Sequence, residues 1–143
     1  MRWTNDAYEI DDDRSRLDMD RVVAWLATSY WAGTQPEAAV RRSWDAAGVT
    51  LGLYHGGQMI GCARALTDFT RFAYLSDVYV EPEHRSHGLG RWLVQTMLDH
   101  PDVPRVRWVL HTRGATTRFY EQFGFELVTG AEEHPVMQRP RPG

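Results

Sequence analysis

Cysteine is nearly missing from this chain. Cys62 stands alone among 143 residues, which excludes an internal disulfide and a thiolate-rich metal cluster. Long apolar runs are missing too: none approaches a membrane span, and no basic-then-apolar leader opens the chain, so a cytoplasmic protein without a membrane partner is expected. Neither sign of charge dominates. Sixteen basic and 19 acidic side chains leave a net charge of −3, which provides no electrostatic footprint for nucleic acid. That mild acidity suits a cationic or amine acceptor but is too small to decide for one. No repeat, low-complexity block or long linker divides the chain. What is present, with 43% apolar residues, suffices for one domain with a proper core over residues 1–143. The end at about 139–143, Arg139-Pro140-Arg141-Pro142-Gly143, has nothing to bury and reads as a loose tail.

The hydrophobic period changes along the chain. Ala7-Tyr8-Glu9-Ile10 suggests a leading strand, and the charge-dense Asp11–Asp20 stretch reads as a connector in which Asp18 or Asp20 caps the next helix. Val22, Val23, Leu26, Ala27 and Tyr30 recur at helical spacing, predicting that helix to end near Gly33. Pro36 suits the first turn of a second helix with Val40, Trp44 and Ala47 inward, stopped at Gly48. From Val49 the pattern alternates. Val49, Leu51 and Leu53 predict a strand, Gly56-Gly57 a hairpin turn into a strand over 59–66, and Thr67-Asp68 another turn into a strand over 72–80. Beyond a helix ending near His100-Pro101, Val106, Trp108 and Leu110 predict a strand that, joined through that helix, runs parallel to the one before it. A short helix over 114–123 and a closing hairpin of 125–128 with 135–139 complete the chain.

The stretch from Leu75 to Leu98 carries the chemistry. A β-branched and aromatic strand is broken by Pro82, which cannot donate to a ladder. Then comes the turn Arg85-Ser86-His87-Gly88-Leu89-Gly90, and a helix in which Leu89, Trp92, Leu93, Val94, Met97 and Leu98 recur. Glycines let such a turn bring backbone close to a ligand, and the helix start offers unpaired N–H groups and a positive dipole end: a recipe for holding phosphate. A dinucleotide fingerprint is disfavoured, because Leu93 stands at its third glycine position and Leu110 near its acidic one. A nucleotide-hydrolase loop is disfavoured as well, since the turn ends Gly90-Arg91-Trp92 rather than Gly-Lys-Ser/Thr.

The run Val80-Glu81-Pro82-Glu83-His84-Arg85-Ser86-His87-Gly88-Leu89-Gly90 closely resembles the coenzyme A loop of the GNAT superfamily of acyl-CoA-dependent N-acetyltransferases. Phe119-Tyr120-Glu121-Gln122-Phe123-Gly124-Phe125 resembles that family's Y-E-x-x-G-F segment. Two motifs in the right order are far more specific than either alone. The resemblance implies an α/β fold: a mixed, mainly antiparallel sheet flanked by helices, whose one parallel strand pair splays into a wedge for coenzyme. It implies acetyl-CoA as co-substrate, its pantetheine on the backbone of Val78, Tyr79 and Val80 and its pyrophosphate on the turn Arg85, Ser86, His87, Gly88, Leu89, Gly90 and Arg91. Arg85 and Arg91 are also open to reading as solvated arginines. Many members place an asparagine where the last helix begins; this chain has Arg113 there, which could reach the coenzyme phosphates.

The resemblance further implies direct transfer of acetyl to an amine that enters from the opposite side. Tyr120 is then the acid for the departing thiolate, a phenol of pKa about 10 being adequate; the alternative is a core aromatic between Phe119 and Phe123. For the base, Asp77 leads, from the strand beside the expected thioester. It could equally hold an ammonium or bond to nearby backbone. Leu75-Ser76-Asp77-Val78-Tyr79-Val80 resembles the Y-L-E-D-x-x-V pattern of polyamine-type members, but Ser76 replaces their glutamate, which weakens a polyamine reading. Tyr30 and Trp31 are candidates for the acceptor pocket, with core packing the alternative. His111 could relay a proton or be structural. His84 and His87 lack a nearby third ligand, so no metal is expected, and Cys62 reads as a buried thiol. A catalytically silent acyl-CoA-binding module would look much the same outside Tyr120 and Asp77. Acceptor identity, small molecule or peptide, and a homodimer both stay open.

Overall fold

The computed structural model describes residues 1–30, 32–128 and 136–140. The alternating middle of the chain forms the spine of one sheet. Its strands are β1 (Arg2–Asn5), β2 (Tyr8–Asp11), β3 (Val49–His55), β4 (Gln58–Thr67), β5 (Phe72–Val80), β6 (Arg107–His111), β7 (Glu126–Leu127) and β8 (Val136–Arg139). The eight strands lie in the order β1-β2-β3-β4-β5-β6-β8-β7, and only β5 and β6 pair in parallel. The mixed, mainly antiparallel α/β architecture is therefore as expected.

Alternate residues along the strands feed two separate cores. On one face, α1 (Met19–Ala27) and α2 (Glu37–Asp45) set Val22, Leu26, Val40 and Trp44 against Tyr54 and Cys62. On the other, α3 (Leu89–Leu98) sets Leu89, Leu93, Val94 and Met97 against Leu51, Ala63 and Val80. The last helix, α4 (Thr117–Glu121), follows a 3-10 turn at Gly114–Thr116. Gly56 and Gly57, at φ +58° and +79°, make the predicted two-residue turn between β3 and β4, a conformation glycine adopts without strain.

Several local expectations need correction. The leading strand is a hairpin: β1 pairs with β2 around Asp6, which takes φ +52°. Asp11 belongs to β2 rather than to a connector, buried and held by Arg2 and Arg16. Asp18 does cap α1, its carboxylate accepting from the Arg21 N–H at 3.2 Å. That helix ends at Ala27 and not near Gly33, because the Thr28 and Ser29 hydroxyls donate back to the Trp25 and Leu26 carbonyls and compete with continuation of the helix. At the far end, Arg139 is no tail residue: it lies in β8 and its Nε donates to the Phe123 carbonyl at 2.9 Å. Residues 141–143 lie outside the described residues. The closing strands do pair, Glu126 with Gln138 and Leu127 with Met137, but β8 also inserts between β7 and β6.

One irregularity shapes everything near the site. Opposite the two steps from Cys62 to Arg64, β5 spends three, since Cys62 pairs with Tyr79 but Arg64 with Ser76. The surplus is a bulge, and Asp77 within it takes φ +56°, a left-handed conformation that costs a non-glycine residue roughly 1–2 kcal/mol. Buried partners offset that cost. The Asp77 carboxylate accepts from Arg64 Nε at 2.5 Å and from Trp44 Nε1 at 3.2 Å, and its carbonyl accepts from the Cys62 thiol at 3.4 Å. Only 4% of the Asp77 side chain and 13% of the Arg64 side chain are exposed.

Removing one partner of a buried pair strands the other, typically at a cost of about 3–5 kcal/mol. Asp77→Ala is accordingly expected to lower the unfolding free energy read from urea titration by about 3 kcal/mol at unchanged m-value, and Trp44→Phe, which keeps the ring bulk but loses the N–H, by about 1 kcal/mol. A loss below about 1 kcal/mol in Asp77→Ala would mean that the pair does not hold the bulge.

Candidate active site

The parallel pair β5 and β6 is joined only from Phe72↔Arg107 through Ala73↔Trp108 to Tyr74↔Val109. Past Tyr74 the strands part, as the wedge expectation required, and the bulge at Asp77 sits where they do. A cavity of about 830 Å³ enters this seam. Val78, Tyr79 and Val80 form one wall, the turn after Pro82 the floor, and Phe119 and Tyr120 of α4 the other wall.

The turn is built by sequence-local rules. Pro82 opens a 3-10 turn over Pro82–His84, and Ser86 and Gly88 both take positive φ, +68° and +72°. A Cβ on Gly88 would meet nothing within 4 Å, so its backbone angle, not space, calls for glycine. The first bond inside α3 runs from the Trp92 N–H to the Gly88 carbonyl. The N–H groups of Leu89, Gly90 and Arg91 therefore point out of the helix start without an intrahelical acceptor, and no turn bond takes those of Ser86, His87 or Gly88. A Cβ on Gly90 would meet the Phe119 ring at 3.9 Å, an ordinary contact, so space does not demand glycine there.

Side chains around the turn divide in purpose. Arg85 folds back, its Nε donating to the Val80 carbonyl at 2.8 Å while its guanidinium lies 5.4 Å from the Tyr79 ring centre; it ties the turn to the end of β5. Arg91 lines the cavity and is exposed. His87 does not line it: Nδ1–H points to the carbonyls of His84 and Arg85, at 3.1 and 2.9 Å. Ser86, Gly88, Leu89 and Gly90 all reach the cavity.

Across the seam, the Tyr120 ring packs edge-on to Phe119 and Phe125, with centres 5.0 and 5.9 Å apart. Burial, with a smaller push from Tyr30, raises its phenol to about 12, so it keeps its proton at any ordinary pH. The Arg113 guanidinium stacks 3.5 Å from the Tyr30 ring centre, and both residues line the cavity. Trp31, the other candidate for the acceptor pocket, lies outside the described residues. Thr28 and Ser29 at the end of α1, and Thr112 and Thr116 beside α4, also line the cavity, and the last two share a hydroxyl–hydroxyl bond. No motif pointed to these four, because they are ordinary residues brought in by topology.

On the face of the sheet that carries α1 and α2, two smaller cavities adjoin the seam. One of about 100 Å³ shares Tyr30, Val78, Thr112 and Tyr120 with the large cavity and adds Tyr74 and His111, whose hydroxyl and Nδ1 lie 2.8 Å apart. The other, about 240 Å³, lies between α2 and β4 and includes Gln35, Ser43 and Arg64. Ser76 and Asp77 line both small cavities but not the large one. Arg64 and Trp44, the partners of Asp77, carried no signal in the sequence, being 13 and 33 residues away from it.

The expectation that His84 lacks further ligands nearby needs correction: Glu81, Glu83 and His84 bring ligand atoms within 4.8 Å of one another. Two of these three are already engaged, Glu81 by Arg21 at 2.6 Å and His84 Nδ1 by the Tyr8 hydroxyl at 3.2 Å. As to membranes, no helix among the described residues is long and apolar enough to cross one.

Comparison with known proteins agrees with this geometry. A Gibberella zeae protein that carries an acetyltransferase name is 32% identical over 119 residues, 68% of this chain and 66% of that protein, so the chain spans about two thirds of its relative's length. The crystal structure of a Xanthomonas campestris pv. campestris protein assigned to the GNAT family superposes with a TM-score of 0.79 at 32% identity, covering 83% of this chain and 84% of the other. An aminoglycoside 6'-N-acetyltransferase solved with coenzyme A shares the fold alone, with a TM-score of 0.74 at 15% identity over 94% and 99% of the two chains. Residues 15–125 match the acetyltransferase (GNAT) family, and the chain belongs to that family.

Proposed function

We propose that this protein transfers an acetyl group from acetyl-CoA to a primary amine by direct attack within a ternary complex. One observation carries the reading: a single cavity joins Ser86 and Gly88–Arg91, with their open N–H groups, to the unzipped edge of β5 and the ring of Tyr120. The turn suits a pyrophosphate, the strand edge suits the amides of a pantetheine arm, and the aminoglycoside acetyltransferase of the same fold holds coenzyme A. When bound, acetyl-CoA supplies an activated acyl group whose carbonyl the amine attacks.

The chain's own groups handle the protons. Tyr120, protonated because burial holds its phenol at about 12, donates to the thiolate as the carbon–sulfur bond breaks. Of the three roles open to Asp77, the ion pair with Arg64 and the bond from Trp44 favour support of the bulge over proton abstraction. His111 is better placed as base. With Nδ1 on the Tyr74 hydroxyl, Nε2 is left for the acceptor, so His111 takes the ammonium proton before attack. The amine thereby loses two protons, one to His111 before attack and one to solvent as the amide forms; Tyr120 gives one to sulfur and takes one back from solvent, and His111 returns its own to solvent, for a net release of one proton.

Incubation with acetyl-CoA and a broad amine panel, following thiol release, tests the proposal. Tight coenzyme binding without turnover of any amine would leave a binding module instead. Given turnover, Tyr120→Phe is expected to lower kcat by about 10²-fold with little change in KM for acetyl-CoA; unchanged kcat removes Tyr120 as the acid. If His111 is the base, His111→Asn should lower kcat by about 10²-fold with little change in KM for acetyl-CoA. Unchanged kcat in that variant assigns the base elsewhere.

A further inference from the structure

Charge and shape on the acceptor side narrow the acceptor. We infer that it is a small amine bearing a carboxylate, with its amine in the seam beside Tyr120 and its carboxylate on Arg64. The inference rests on the acetyl-transfer reading.

The two small cavities share Ser76 and Asp77 in their linings, so an acceptor that reached across these two residues would run from His111 and Tyr120 at one end to Arg64 at the other. Their volumes, about 100 and 240 Å³, suit a molecule of amino-acid size. Among the described residues that line them, Asp77 is the sole acid, and its carboxylate already accepts from Arg64 and Trp44. A second ammonium on the acceptor, as in a polyamine or an aminoglycoside, would therefore meet a guanidinium where it needs a counter-charge. A carboxylate meets the opposite situation. Arg64 commits Nε to Asp77 at 2.5 Å, whereas its two terminal nitrogens make only long contacts, 3.5 Å to the Ser43 carbonyl and 3.4 Å to the Ser76 hydroxyl. Those weak bonds are exchanged at little cost for charge-assisted ones to an incoming carboxylate, in a site where the arginine is largely shielded from water and its charge correspondingly less screened. Gln35 and Ser43 in the same cavity supply neutral polar neighbours for the remaining oxygen.

The same Asp77 that props the bulge thus also holds Arg64 pointing at the acceptor. Specificity of this kind is strict where a buried donor is left without its acceptor.

Matched pairs test it. With the full chain and acetyl-CoA, turnover of amino acids is compared with that of their carboxamides and of the corresponding decarboxylated amines, with spermidine as the polycation. Expected is a kcat/KM at least about tenfold higher for the carboxylate than for either neutral partner, and lower still for spermidine. In Arg64→Lys, which keeps the charge but loses the planar fork, KM for the carboxylate should rise about tenfold while KM for acetyl-CoA holds, and the carboxylate's advantage over the carboxamide should collapse. Equal or better turnover of the carboxamides, the decarboxylated amines or spermidine overturns the inference while leaving acetyl transfer intact. No turnover of any amine overturns both. The comparison on the unaltered protein decides the matter even if Arg64→Lys does not fold.

Discussion

A single buried ion pair decides whether this sheet has a site at all. Parallel strands left to themselves zip along their length, because each unpaired N–H and C=O prefers a partner. Here β5 pairs with β6 for only three residues, and the extra residue in β5 bends it away. Asp77 pays for that bend in backbone strain, and Arg64 and Trp44 hold it there. The freed strand edge leaves backbone groups unpaired by β6, and on the proposed reading the amides of a pantetheine arm are what meet them.

The two sides of the seam are built from different materials. On the side proposed for coenzyme the groups on offer are mostly backbone: the strand edge and the N–H groups of the turn, with glycine at Gly88 where φ demands it. Backbone donors do not vary with side-chain identity, although Ser86, at φ +68°, and Gly88, at φ +72°, remain bound by the backbone conformation. On the side proposed for the acceptor the groups are side chains, namely Tyr74, His111, Arg64 and Ser76. Each of those can change without disturbing the turn. A fold divided in this way can keep one donor while its acceptors diversify.

That division also explains what could be read in advance. The β3–β4 turn, the strand–Pro82–glycine turn–helix order and the parallel step to β6 were legible because each rests on local chemistry: positive φ at Gly56 and Gly88, and helical spacing from Leu89 to Leu98. Tyr120 was legible through its neighbours Gly124 and Phe125. The setting of Asp77 was not, since Arg64 and Trp44 approach it from another strand and a helix, and nothing in the local pattern marks a bulge. The early end of α1 escaped for a subtler reason: Tyr30 continues the apolar spacing, yet two consecutive hydroxyl residues had already turned the backbone.

Arg113 and Tyr30 show that the two sides are nonetheless not independent. Tyr30 lines both the large cavity and the acceptor-side cavity, and the Arg113 guanidinium lies 3.5 Å from its ring centre. A stacked cation of this kind is worth roughly 0.5–2 kcal/mol depending on its exposure to water. It joins the start of the α4 region to the end of α1 across the mouth of the seam. Any phosphate that drew Arg113 off the ring would loosen Tyr30, and any acceptor that ordered Tyr30 would offer Arg113 a firmer surface. If coenzyme and acceptor bind as proposed, the same stacking energy enters the binding of both, and a change in one affinity must appear, by linkage, in the other.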